Sequence, residues 1–280
     1  MTEVTHLCYG PGMSNGKGAL LFDSLLYRAQ DPEALTSYYR HALGVERYLA
    51  FQHASGTGHN GEAGLFHTAF LYESRRDLAV ALLRLHALGA TFEGASDHDV
   101  SEAIYLSDPE GNGIEIYADR PRDQWRFPEG NLQMRTLPLD MEDLLREVRE
   151  ETRNGASEFR RDTATSLESL DQRAAALPGE LAAPASVTLG HLHLRVLDLP
   201  GAESFWRDRI GLEVTARYGE VASFLAVGGY HHHIGLNRFG PWVPRTPGGQ
   251  GLAAVTIAVQ GGEAGEYPTP EGIEVRVRQR

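Results

Sequence analysis

The chain has a single cysteine, Cys8, among its 280 residues. An internal disulfide is therefore excluded, and any bound metal falls to histidine and carboxylate ligands. No run reaches the roughly eighteen consecutive apolar residues of a membrane-spanning helix. The opening residues MTEVTHLCYGPGMSNGKG lack the basic start and apolar core of a secretory leader. The expectation is a cytoplasmic chain that neither crosses nor anchors in a membrane. Basic residues are also scarce: 26 Lys and Arg face 38 Asp and Glu, a formal charge of -12. No basic stripe is offered to a phosphate backbone, so nucleic acid is not an expected partner. A hydrophobic share of 41% is enough for one large core or two ordinary ones.

What the chain does have is repetition. LLYRAQDPEALTSYYRHALGVE (25–46) resembles LHLRVLDLPGAESFWRDRIGLEV (192–214), and the spacing from Asp31 to Gly44 equals that from Asp198 to Gly211. Aspartate stands where a helix N-cap belongs and glycine where the helix must stop in a left-handed turn. Another unit begins at FHTAFLYES (66–74), continues through the helical pattern RRDLAVALLRLHALGA and closes with AIYLSDPEGNGIEIYAD (103–119), a hairpin around DPEGNG. A fourth begins at GLAAVTIAV (251–259) and ends with TPEGIEVRV (269–277); only GGEAGEYP lies between its strands, too little for a helix. Residues 120–186 are proline-rich and then charged, with helical periodicity in EDLLREVREETRNG and DTATSLESLDQRAAAL. The expected class is α+β: four βαβββ modules forming two half-open barrels, the last module shortened. The expected division is a domain at 19–125, a linker with surface helices at 126–186 and a second domain at 187–280.

Strand alternation assigns the faces. Leu192, Leu194 and Val196 mark a packed face, leaving His191, His193 and Arg195 toward a cavity. Phe66, Thr68 and Phe70 mark another, leaving His67, Ala69 and Leu71 opposite. Ile114 and Ile116 put Glu115 and Tyr117 inward; Ile104 and Leu106 do the same for Tyr105. In YHHHIGLN (230–237), Ile234 and Leu236 place His232 on the packed side and His231, His233 and Asn237 on the cavity side. An inward carboxylate on a central strand is costly unless paired or bound to a cation. Two histidines and a carboxylate with positions left open suit non-haem iron(II), although zinc, nickel or manganese accept the same donors.

GHLHLRVLD, GGYHHHIGLN and ASDHDVSEAIYLSDPEGNGIEIYADRPRDQW resemble the catechol 2,3-dioxygenase-like branch of the vicinal oxygen chelate (glyoxalase/bleomycin resistance/extradiol dioxygenase) superfamily, over roughly 20–260. The resemblance implies paired βαβββ modules around a metal cup and extradiol cleavage of a small aromatic diol by O2, with iron(II) as the cofactor. The family's ligand positions fall on His67, His191 and Glu115. His233 resembles its acid–base histidine, and Tyr105 and His98 match further active-site positions. His231, His193 and Asn237 are expected to bind substrate. Module one has Ser24, and module four Ala254, at the histidine position; Glu274 matches the glutamate but lacks histidine company. Modules two and three are therefore expected to enclose the active cup, with one and four as a metal-free partner. Two rivals remain: a glyoxalase-like isomerase or thiol transferase using another metal, and a metal-free binding or resistance protein. The edges of half-open barrels need covering, so a homo-oligomer is expected.

Overall fold

Alternating apolar residues build most of this molecule, because a strand with one apolar face must bury it against another layer. The computed structural model describes residues 19–58, 61–149 and 186–279, and these contain fourteen strands in two sheets. The first stretch holds β1 (Leu20–Ala29), α1 (Pro32–Tyr38) and β2 (Leu49–His53). Then come β3 (Gly64–Tyr72), α2 (Arg75–Ala87), β4 (Phe92–Asp97), β5 (Ser101–Ser107), β6 (Gly113–Asp119), β7 (Leu137–Pro138) and α3 (Met141–Arg149). The third stretch holds β8 (Thr188–Arg195), α4 (Leu199–Asp208), β9 (Glu213–Tyr218), β10 (Ala222–Ala226) and β11 (Ile234–Asn237). Last are β12 (Gly251–Val259), β13 (Gly265–Pro268) and β14 (Glu274–Gln279).

The larger sheet runs β7-β4-β5-β6-β3-β8-β11-β10-β9 and the smaller β13-β14-β12-β1-β2. Both share one joint. Two first strands pair antiparallel at the centre, β3 with β8 and β1 with β12, and each has a later strand of its own unit parallel outside it. The second unit is thus joined to the third and the first to the fourth. Neither sheet is confined to 19–125 or 187–280, so that division follows the order of the chain rather than its folded layers. The α+β class of strand-rich modules holds, with the helix absent from the fourth unit as its length requires. The first unit is short as well, since among the described residues β2 is the one strand between its helix and β3.

The helix ends obey the local signals. Asp31 Oδ1 accepts from the Ala34 amide at 2.9 Å, and Gly44 and Gly211 take φ of 68° and 90° where their helices stop. Asp198 occupies the matching N-cap but makes no side-chain cap bond. One core cluster unites β1, β8, β11, β12, β14 and α4 around the fully buried Trp206; another sets α2 and α3 on β3, β5 and β6.

The linker reading needs correction here. Leu144, Leu145 and Val148 of α3 are buried in that second cluster, and Arg75 of α2 ties Asp143 (2.6 Å) and Glu147 (2.9 Å) of α3 to Glu102 of β5. EDLLREVRE is therefore an amphipathic helix packed into the core, whose charge masks one apolar stripe. The second expected helix, in DTATSLESLDQRAAAL, lies outside the described residues. Among the described residues no helix is long and apolar enough to cross a membrane.

Candidate metal centre

Sheet register brings the three expected donors together. Ala69 of β3 lies opposite His191 of β8 on one side and Glu115 of β6 on the other, and its single methyl lets the two larger side chains meet above it. His67, two residues earlier on the same face, lies opposite His193. His67 Nε2 is 2.9 Å from Glu115 Oε2, and His191 Nε2 is 3.2 Å from the same oxygen. One donor atom from each of the three residues lies within 4.8 Å of the others, and the residues are 6%, 3% and 2% exposed for His67, Glu115 and His191. The His67 contact is short, yet His67 Nε2 is left without a hydrogen bond of acceptable geometry. Two imidazole nitrogens and a carboxylate oxygen, buried and gathered around one point, form a donor set that suits a shared cation.

The electrostatics agree. Burial alone would raise the Glu115 carboxyl, but positive charge on His191 and His67, with the hydrogen bond from His191, would hold it well below the usual range. His191 is itself pushed below its ordinary value, chiefly by burial. At neutral pH its imidazole is therefore uncharged. A buried carboxylate set between two imidazoles is a place that a divalent cation would stabilise.

Around the three donors the cup is aromatic and polar. Tyr105 faces it from β5; its hydroxyl is 2.7 Å from His98 Nε2, and His98 Nδ1 is 2.9 Å from the Arg135 carbonyl. A carbonyl only accepts, so Nδ1 carries the proton, and in the neutral ring Nε2 accepts from Tyr105. Burial, then Glu115, pushes the Tyr105 phenol well above its ordinary value. Asp99, at φ 65°, grips Arg135 through both carboxylate oxygens and so fixes this turn. Tyr117 packs 4.9 Å from the His191 ring, in space left by Gly190, where a Cβ would lie 1.9 Å from the Tyr117 hydroxyl. Gly235 likewise clears the His193 ring, which a Cβ there would meet at 2.9 Å.

Three sequence expectations change. His232, not His233, lies over His191, with ring centroids 4.1 Å apart. His233 turns to Tyr230 and to Phe22 of the other sheet. Strand alternation does not reach residues 231–233, since β11 starts only at Ile234 and they form a bend. The sequence signal was Gly228–Gly229, both in left-handed conformation, φ 65° and 71°, just ahead of it. Secondly, His231 is fully buried and committed to protein partners: Asp119 Oδ1 at 2.9 Å and His232 Nδ1 at 2.7 Å. Asp119, unnoticed in the sequence, also accepts from the Tyr230 hydroxyl at 2.9 Å. Thirdly, the β3–β8 ladder shifts register between Leu65 and His67. Phe66 therefore swings to the cup side, 5.2 Å from the His67 ring and 5.3 Å from His193. His193 and Asn237 stand on the cavity face, each with a buried nitrogen lacking a hydrogen-bond partner.

Residues 46–116 match the profile of the Glyoxalase/Bleomycin resistance protein/Dioxygenase superfamily. A Bacillus subtilis (strain 168) protein named catechol-2,3-dioxygenase is 43% identical over 176 residues, which is 62% of this chain and 52% of that protein. The chain thus matches about half the length of this curated relative. A crystal structure titled as a putative dioxygenase from Bacillus subtilis superposes with a TM-score of 0.58 at 10% identity, covering 94% of this chain and 86% of the other. That likeness concerns the fold alone.

Proposed function

Because the chain carries a domain of the Glyoxalase/Bleomycin resistance protein/Dioxygenase superfamily, we propose that it is a metal-dependent extradiol dioxygenase opening catechol-type rings with O2. His67, His191 and Glu115 would hold the ion, iron(II) by this reading. The observation that carries it is the convergence of these buried donors from three adjacent strands, with His67 Nε2 lacking a hydrogen bond of acceptable geometry. What the ion would supply is a Lewis-acidic centre with neighbouring open positions for a diol and O2, and a conduit for electrons between them.

The chain's own residues handle position and protons. Tyr105 can hydrogen-bond a ring oxygen while its own proton points to His98 Nε2, which leads away from the cup to the Arg135 carbonyl. His232 takes the acid–base role expected of His233. Asp119 accepts from His231 Nε2, and His231 Nδ1 meets His232 Nδ1; this contact occupies Nδ1 of His232, so its Nε2 is the nitrogen that would take or return a proton. Burial, then the neighbouring histidines, pushes His232 well below the ordinary imidazole value, so it rests neutral. Phe66, Phe224 and Phe239 surround the His193 ring and keep water from that side of the cup.

The test is aerobic turnover after anaerobic reconstitution with iron(II). Uptake of O2 with a yellow ring-opened product is expected. Absence of both, alongside isomerisation of a hemithioacetal or thiol transfer with nickel, zinc or manganese, would move the chain to the glyoxalase-like reading. Absence of every activity with a ligand still bound would leave a binding protein.

A further inference from the structure

Among the described residues, eight buried side-chain polar atoms lack a hydrogen-bond partner, and half belong to one region: His193 Nε2, Arg195 Nε, Asn237 Nδ2 and Trp242 Nε1. An unpaired buried donor is expensive, and clustering such groups multiplies the cost unless something accepts from them. Three of the four are fixed N–H donors, and Arg195 is also a cation. Its guanidinium lies 5.3 Å from the Phe66 ring centre and 5.3 Å from that of Trp242, between two aromatic faces. Burial alone moves its pKa down, and no carboxylate among the described residues compensates it. Arginine stays charged even so.

Position ties this group to the cup. Arg195 follows His191 and His193 on the same face of β8, and Asn237 stands opposite it on β11. The Phe66 ring centre is 5.2 Å from that of His67 and 5.3 Å from the guanidinium, so one aromatic ring contacts both a candidate metal donor and the cation. Asn237 Oδ1 faces the Phe239 amide at 3.3 Å, which leaves its NH2 pointing elsewhere. Arg195 also borders a cavity of about 220 Å³. The carboxylates lining that cavity are engaged: Glu62 accepts from the Thr246 amide at 3.0 Å, and Glu110 from those of Gln30 (2.9 Å) and Asp31 (2.7 Å).

We propose that the ring substrate carries a carboxylate remote from its two hydroxyls, that Arg195 is the counter-ion of this carboxylate, and that Asn237 and Trp242 complete the cradle. The inference rests on the ring-opening reading for the ring itself, but the carboxylate site is testable without turnover. Calorimetry on the full-length protein as purified would compare phenylacetate, its neutral isostere phenylacetamide, and acetate. Wild type should prefer phenylacetate over phenylacetamide by roughly tenfold or more, the scale of a charge-assisted hydrogen bond. Arg195→Met, which keeps volume and stacking, should bring that preference within about twofold, and Arg195→Lys should restore part of it. With iron(II), Arg195→Met should raise the KM for 3,4-dihydroxyphenylacetate by about tenfold and leave that for catechol unchanged. Equal binding of acid and amide by wild type would overturn the proposal, a result independent of whether any variant folds. Acetate binding as tightly as phenylacetate would overturn it too, by assigning the site to a free anion. If iron(II) gives no turnover of any diol while the acid preference stands, the ring-opening reading fails and the carboxylate site survives.

Discussion

The two sheets are built on one plan and differ in what their concave faces carry. In the nine-stranded sheet Ala69 stands beside Glu115 and opposite His191; in the five-stranded sheet Ala254 stands beside Glu274 and opposite Leu26, with Ser24 facing Thr256. The strand pairing is the same and the chemistry is absent, because no histidine joins Glu274, which instead pairs with Arg276. The smaller sheet is also shorter: among the described residues β2 is the one strand that follows α1 in the first unit, and the fourth has no helix. The same architecture thus serves as a platform in both sheets, and the two missing histidines separate a candidate metal centre from a structural support.

The widest gap between the halves should appear on removing the carboxylates. Glu115→Ala should lower iron(II)-dependent O2 uptake by more than about a hundredfold, since even groups that merely orient a metal ligand cost that much. Glu274→Ala should change it by less than about twofold, a surface ion pair contributing little. Equal losses would erase the distinction between the sheets. Next come the adjacent histidines that face opposite halves. His232→Gln should cut kcat on the order of a hundredfold, as loss of a general acid–base does. His233→Gln, lying against Phe22 of the smaller sheet, should lower Tm and spare kcat.

Smaller effects come from the two matching hairpins. A Cβ at Gly113 would lie 2.1 Å from the Phe66 carbonyl, whereas Gly272 has open space but φ of 74°. Gly113→Ala should cost about 3 kcal/mol by overpacking and displace Glu115, against about 1 kcal/mol of left-handed strain for Gly272→Ala. Glu110 in the first hairpin holds two backbone amides, while its counterpart Glu271 is buried with Oε2 unpartnered. Burial, then Asp198, raises the Glu271 carboxyl from 4.5 to about 7. A folded-state value above the unfolded one means that the carboxyl favours folding less as pH rises: the unfolded chain releases this proton near 4.5 and the native protein only near 7. Glu271→Gln should therefore flatten the loss of stability across that window and gain up to about 2 kcal/mol at pH 8, read by urea denaturation at a series of pH values.

Much of this was legible because it is local. Aspartate and glycine at fixed spacing mark helix ends through hydrogen bonds to the next turn, and period-two alternation on β3, β6 and β8 turns His67, Glu115 and His191 to one face whatever the tertiary context. Alternation was silent where strands depart from regularity. The register shift beside Phe66 and the late start of β11 each reversed a face, giving the cup an aromatic wall and exchanging His233 for His232. Asp119 closes β6 and meets His231 across 112 positions of sequence; no local pattern announces such a pair. The burial of α3 was hidden by its charges, as its three apolar contacts fall on one stripe.

The proposed centre holds a single divalent ion among positions 67, 115 and 191. Metal content after iron(II) loading and desalting, measured for the unaltered chain beside folded His67→Ala and His191→Ala, tests it most directly. About one ion per chain is expected in the first and less than about a tenth of that in the variants. The same content in all three would contradict it.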